Sequence, residues 1–116
     1  MIAIIFEVEP AAGREDDYLA IAGAMRAELE KQPGFIGVER FRSITNPGKL
    51  LSLSFWEDEA AVRNWRCHAG HRDAQRAGRG GVFAGYRLRV AGVIRDYGPA
   101  ERRDQAPKDS NAAWGL

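Results

Sequence analysis

The sequence predicts an α+β domain whose elements run βαββαβ, and three observations predict it. The apolar period switches from two to about 3.6 and back along the chain, Pro-Gly and Asn-Pro-Gly signals punctuate it, and each helix-period segment leads into a strand-period one. At 116 residues the chain fits one domain, long enough to bury a core without disulfides.

Ile2, Ile4, Phe6 and Val8 alternate with Ala3, Ile5, Glu7 and Glu9, a strand with one apolar face and one mixed face. Ala11-Ala12-Gly13 breaks it. Over residues 14–32 the positions Tyr18, Ile21, Ala22, Met25 and Leu29 recur at helical spacing, with Glu15, Asp16 and Asp17 in the first turn where the helix dipole favours anions. Pro33-Gly34 ends that helix. Residues 35–42 read as a second strand, with Ile36 and Val38 on one side and Phe35 and Phe41 on the other. Asn46-Pro47-Gly48 turns it into a third strand, residues 49–56, giving a hairpin. Asp58 is placed to cap a second helix whose stripe is Ala61, Val62, Trp65 and Ala69, running to about Ala77 before the glycines at 78, 80 and 81. Residues 86–97 complete the set as a last strand with a bulge at Gly92. This order gives a four-stranded antiparallel sheet with both helices on one face, the ferredoxin-like arrangement.

Neither side of the sheet is fully polar, since Ala3 and Ile5 face away from Ile2 and Ile4, and Leu51, Leu53 and Phe55 away from Leu50 and Trp56. A half-apolar second face on a small domain implies a cover, most simply a second copy related by a two-fold axis. A homodimer is therefore expected.

Composition narrows the function classes. One cysteine leaves no internal disulfide and suits a reducing, cytoplasmic setting. The apolar start Met1-Ile2-Ala3-Ile4-Ile5-Phe6 lacks a basic flank and meets Glu7 and Glu9, so no signal peptide is expected. No apolar run nears the roughly 20 residues of a membrane helix. The net charge is +1 and the arginines mostly alternate with carboxylates, so neither membrane nor nucleic-acid partners are expected.

Residues 50–71 concentrate the chemistry: they hold Trp56 and Trp65, both histidines (His68 and His71) and Cys67. Glu9-Pro10, Gly13-Arg14-Glu15, Gln32-Pro33-Gly34-Phe35-Ile36-Gly37, Asn46-Pro47-Gly48-Lys49 and Phe55-Trp56-Glu57-Asp58-Glu59-Ala60-Ala61-Val62, followed by His68 and a last strand from Val90 to Tyr97, stand in an order that resembles the antibiotic biosynthesis monooxygenase domain family. The resemblance covers about residues 1–97 and leaves residues 98–116 as a C-terminal tail. It implies a dimeric α/β barrel, two ferredoxin-like sheets face to face, each subunit with its own pocket between sheet and helices. Some members oxidise phenolic polycyclic aromatics to quinones with molecular oxygen and no metal or flavin; others oxidise haem.

A cofactor-free oxygenase has demands that residues can meet or fail. Triplet dioxygen reacts slowly with closed-shell organics, so the substrate must first become electron-rich by losing a phenolic proton to a base in an apolar pocket. His68 and His71 are the side chains whose ordinary range suits that base near neutral pH. Trp56 and Trp65 would wall the pocket for an aromatic substrate, and Tyr86 or Arg87 would hydrogen-bond the developing oxyanion. The competing reading makes Trp65 and Trp56 core packing and places His71 at a fraying helix end. A metal site would need more ligands than His68, His71, Cys67 and Asp73 provide at their spacing. Haem-degrading members carry a first-strand asparagine and a tryptophan and iron-ligating histidine on the second helix; residues 2–9 contain no asparagine, so haem is not expected. No bound cofactor is expected. Two function classes stay open: an oxygenase of a small aromatic substrate, and a non-catalytic dimeric domain binding a hydrophobic ligand. The tail, rich in charge and without apolar period before Ala112-Ala113-Trp114, has no predicted fold of its own; Trp114 is its one group suited to docking on the subunit or its dimer partner.

Overall fold

β1 (Ile2–Pro10) lies inside the sheet, antiparallel to β3 (Leu50–Trp56) on one side and to β4 (Phe83–Gly92) on the other. The computed structural model describes residues 1–68, 72, 76 and 78–109. β2 (Phe35–Arg42) pairs antiparallel with β3, which gives the order β2-β3-β1-β4. Two helices, α1 (Glu15–Glu30) and α2 (Glu59–Arg66), complete the ferredoxin-like order that the periodicity predicts. Among the described residues no helix is long and apolar enough to cross a membrane.

The registers decide which side chains share a face. Ile2, Ile4, Phe6 and Val8 stand opposite Trp56, Ser54, Ser52 and Leu50 on β3, and opposite Gly92, Val90, Leu88 and Tyr86 on β4. This is the helix-facing side. It carries two buried clusters: Leu29 of α1 and Ala61, Val62 and Trp65 of α2 gather on Trp56, with Ile2 and Ile4 against them. At the other end Tyr18 of α1 packs with Val8, Leu50 and Val82, with Phe6, Ile21 and Phe83 against them. The opposite side carries Ala3, Ile5, Leu51, Leu53 and Phe55, edged by Glu7 with Arg89 3.1 Å away.

Three boundaries differ from the sequence reading, each for a local reason. The β2 register slips between Phe35 and Gly37, so Phe35 faces Trp56 and shares the helix side with Val38 instead of lying with Phe41. One extra residue in a strand inverts a period-two assignment. The last strand spans Phe83–Gly92 rather than 86–97, and its irregularity lies opposite Glu9 and Pro10, not at Gly92. Its start follows the tight turn Gly78–Val82, where Gly81 takes φ 109° and Val82 O accepts from Ala11 N at 2.8 Å. α2 ends at Arg66, short of Ala69 in its expected stripe, and is capped at its start by Asp58, whose Oδ1 accepts from Ala61 N at 2.9 Å.

Past β4 the chain leaves the sheet before Tyr97, and residues 98–106, the first part of the tail, are held by hydrogen bonds although their composition implies no structure. Val93 N donates to Met1 O at 3.0 Å, Asp96 N to Gln105 Oε1 at 3.0 Å and Gly98 N to Glu101 O at 2.8 Å. Arg103 donates to Gly98 O at 2.9 Å while its guanidinium lies 5.2 Å from the Tyr97 ring centre. These local closures satisfy backbone groups without an apolar period. Trp114 lies outside the described residues.

The turn between α1 and β2 fixes α2. Gly34 has φ 81°, its carbonyl accepts from Glu57 N at 2.8 Å, and a Cβ placed on it would lie 2.6 Å from Ala61 Cβ. Gly34→Ala therefore meets both a left-handed backbone and a methyl collision; a loss of about 1–3 kcal/mol is expected in urea denaturation. At the hairpin, Arg42 donates to Glu15 at 2.8 Å and to Pro47 O at 2.7 Å. That bond holds the Glu15 carboxyl below the ordinary carboxylate value of 4.5. A depressed carboxylate stabilises the fold above its unfolded value and loses that contribution as pH falls through its folded one. Glu15→Gln is expected to lower Tm slightly at neutral pH and to converge with wild type in acid, so that its Tm-against-pH curve is flatter below about pH 4.5.

Candidate functional site

The site begins in the core. Trp56 ends β3 on the helix-facing side, 1% exposed, and donates its indole N–H to Ser54 Oγ at 3.0 Å. Period two on the strand puts the two residues on one face, so the indole's polar atom is satisfied within β3 itself. The Phe35 ring meets Trp56 edge-on at 5.3 Å and 68°. On α2, Ala61, Val62 and Trp65 recur at i, i+1 and i+4 on the buried side, and Trp65 stacks on Trp56 at 6.4 Å and 29°.

His68 follows two residues after the end of α2, its amide donating to Trp65 O at 3.0 Å. Its ring stacks on Trp65 with centres 5.2 Å apart and planes within 24°. The side chain is 30% exposed, where Trp65 as a residue is 7% exposed and Trp56 1%. The three rings thus step from the core to its margin, and the outermost one carries the titratable nitrogens. From α1, Glu28 Oε2 stands 3.8 Å from His68 Nε2. Sequence periodicity did not single out Glu28; its one signal was its place beside Leu29, at the border of the α1 stripe.

Beside this column an apolar strip lies open. Leu88 and Val90 of β4 are on the helix-facing side, yet they are 54% and 51% exposed. Ile4 joins the two features, because it packs against the cluster of Trp56 and Trp65 and pairs across strands with Val90. The strip ends at Tyr86, which is 55% exposed with Phe6 at 5.9 Å and Phe83 at 6.1 Å.

The structure therefore brings together His68, Trp65 and Trp56, and it spreads the other sequence candidates. Tyr86 pairs with Val8 while Trp56 pairs with Ile2, and six residues of strand separate those rows by roughly 20 Å. Arg87 pairs with Glu7, whose side chain lies away from the helices, and both border a shallow depression of about 220 Å³ that Val8, Glu9, Lys49, Gly85 and Tyr86 also line. Adjacent strand residues point their side chains opposite ways, so of these two alternatives it is Tyr86 that lies on the helix-facing side with His68. Trp56 is enclosed by Phe35 and Trp65, which gives it the core role. His71 lies outside the described residues. Cys67 is exposed, and among the described residues no group of three or more His, Cys, Asp or Glu could hold a metal ion.

The ferredoxin-like fold that carries this arrangement has known counterparts. Residues 1–77 match the family model described as antibiotic biosynthesis monooxygenase, and the chain belongs to that family. Over 93 residues it is 47% identical to the jasmonate monooxygenase ABM of Pyricularia oryzae, covering 80% of this chain and 43% of that protein. It is 39% identical over 93 residues to the uncharacterized protein YqjZ of Bacillus subtilis, covering 80% of this chain and 79% of that one. The chain thus spans less than half of the first relative and most of the second. Among solved structures, a mutant form of SnoaB, a cofactor-independent oxygenase from Streptomyces nogalater, superposes with a TM-score of 0.72 at 14% identity, over 82% of this chain and 94% of that one. Likeness at that identity speaks for the fold.

Burial sorts the column by expected effect on stability. Trp65→Ala should cost about 3–5 kcal/mol in chemical denaturation, as truncating a buried aromatic does, and His68→Ala under about 1 kcal/mol. Equal losses would mean that His68 is part of the core.

Proposed function

We propose that this chain is a cofactor-independent monooxygenase that oxidises a phenolic or quinol-like aromatic with molecular oxygen, working as a homodimer. The observation that carries the reading is His68, half-buried on the face of Trp65 at the border of an open apolar strip. Family membership supports it, as do the activities for which the Pyricularia oryzae relative and SnoaB are named.

The chemistry balances without an external reductant. A phenol O–H proton passes to the His68 imidazole, and the phenolate, held against apolar side chains, is electron-rich enough to give an electron to dioxygen. Collapse of the resulting radical pair forms a carbon–oxygen bond. The proton returns from His68 to the peroxide oxygen, and loss of water leaves a quinone carbonyl: phenol plus O₂ gives quinone plus H₂O. The strip of Leu88 and Val90 beside Trp65 gives the phenolate ring an apolar surface to lie on, and the imidazole moves the proton. A substrate with no ionisable hydroxyl would instead need two electrons from a donor.

The dimer rests on the side of the sheet away from the helices, where Ile5, Leu51, Leu53 and Phe55 are only partly buried and Phe41 is 43% exposed. A second sheet laid on this face would bury them. Light scattering at micromolar concentration should report twice the 12.8 kDa chain mass; a monomer there leaves the face without its cover.

Oxygen uptake with a panel of hydroquinones and anthrone-like phenols, and with jasmonate in the presence and absence of a reductant, tests the reaction. The purified protein should show no visible absorption band, and one phenol should consume one O₂ per quinone formed. In folded His68→Ala, kcat should fall on the order of 10²–10⁴-fold. Ligands that raise Tm without oxygen uptake would favour the non-catalytic binding domain instead.

A further inference from the structure

The last turn of α1 is built around Glu28. Its backbone carbonyl accepts from Gln32 Nε2 at 3.0 Å, which anchors the residue where the helix closes. Its two carboxylate oxygens are divided: Oε1 is 3.7 Å from Lys31 Nζ and Oε2 is 3.8 Å from His68 Nε2. Glu28 and His68 come from different elements, 40 residues apart in sequence, and both side chains are partly shielded, 46% and 30% exposed. His68 itself is fixed on two other sides, by the Trp65 ring against its plane and by Arg72 N donating to its carbonyl at 3.0 Å. The charged groups described around the imidazole are thus Glu28 and, beyond it, Lys31 from α1, with Arg72 following in sequence.

The proposed reaction turns a neutral imidazole into a cation, and a cation gains from a carboxylate only if that carboxylate already stands in place. We propose that Glu28 is the positioning residue of His68: it orients the imidazole on Trp65 and holds the imidazolium that forms when the substrate's phenolic proton arrives. The role rests on the proposed oxygenase function. The carboxylate accepts no proton itself; the O–H bond of the substrate breaks, the N–H bond of His68 forms, and the new positive charge faces Glu28. Lys31 keeps the carboxylate turned so that one oxygen serves each cation.

The test reads the ring's position separately from turnover. A ring stacked on an indole is shifted upfield by the indole's ring current, so the His68 carbon-bound protons report the stacking directly. Glu28→Gln should lose at least half of that upfield shift, and Glu28→Asp should keep most of it. An unchanged shift in Glu28→Gln overturns the proposal. On a phenol that the wild type oxidises, Glu28→Gln should lower kcat about five- to tenfold with KM within about twofold, the size expected of a partly exposed ion pair. A raised KM at unchanged kcat would also overturn it. If the wild type oxidises no phenol, the oxygenase reading fails, and the ring-current result still decides the pairing.

Discussion

The Trp56 ring, enclosed edge-on by Phe35 and face-on by Trp65, is the contact on which the rest of this structure depends. It ties the end of β3 to the start of β2 and to α2, and burying an indole of roughly 150–250 Å² contributes on the order of 4 kcal/mol. Because its N–H is satisfied by Ser54 on the same strand, that burial carries no unpaired donor. Trp65 rests on Trp56, and His68 rests on Trp65, so the position of the titratable ring follows from packing in the core.

A second constraint is the division of the helix-facing side into two clusters. Ser52 and Ser54 occupy its middle on β3, between Trp56 at one end and Leu50 at the other. The helices spend their apolar residues on β1 and β3, and the edge strand β4 is left with Leu88 and Val90 half in solvent. An exposed apolar strip beside an imidazole is a surface on which an aromatic phenol would bury its ring favourably.

Much of this was legible in the sequence, because the strong signals were local. Alternation gave β1, Asn46-Pro47-Gly48 gave the hairpin, and Asp58 gave the cap of α2. Two of the misplacements share a cause: a bulge between Phe35 and Gly37 and an irregularity beside Pro10 each insert a residue that no period announces. The site was legible only as far as its residues share one stripe. Trp56, Trp65 and His68 could be grouped from chain order and helix spacing, whereas Glu28 reaches His68 across a tertiary contact that sequence spacing does not encode. Tyr86 and Arg87 stood as alternatives for the oxyanion contact, and the pleat sends their side chains to opposite sides of the sheet.

The central claim is that the functional surface is the His68 end of the helix-facing side. Amide and side-chain NMR shifts, followed during titration with a hydroquinone under strictly anaerobic conditions, test it most directly. The account predicts changes at His68, the Trp65 indole, Ile4, Leu88 and Val90. Changes confined to Glu7, Glu9, Lys49 and Arg87, around the depression on the other side of the sheet, would contradict it.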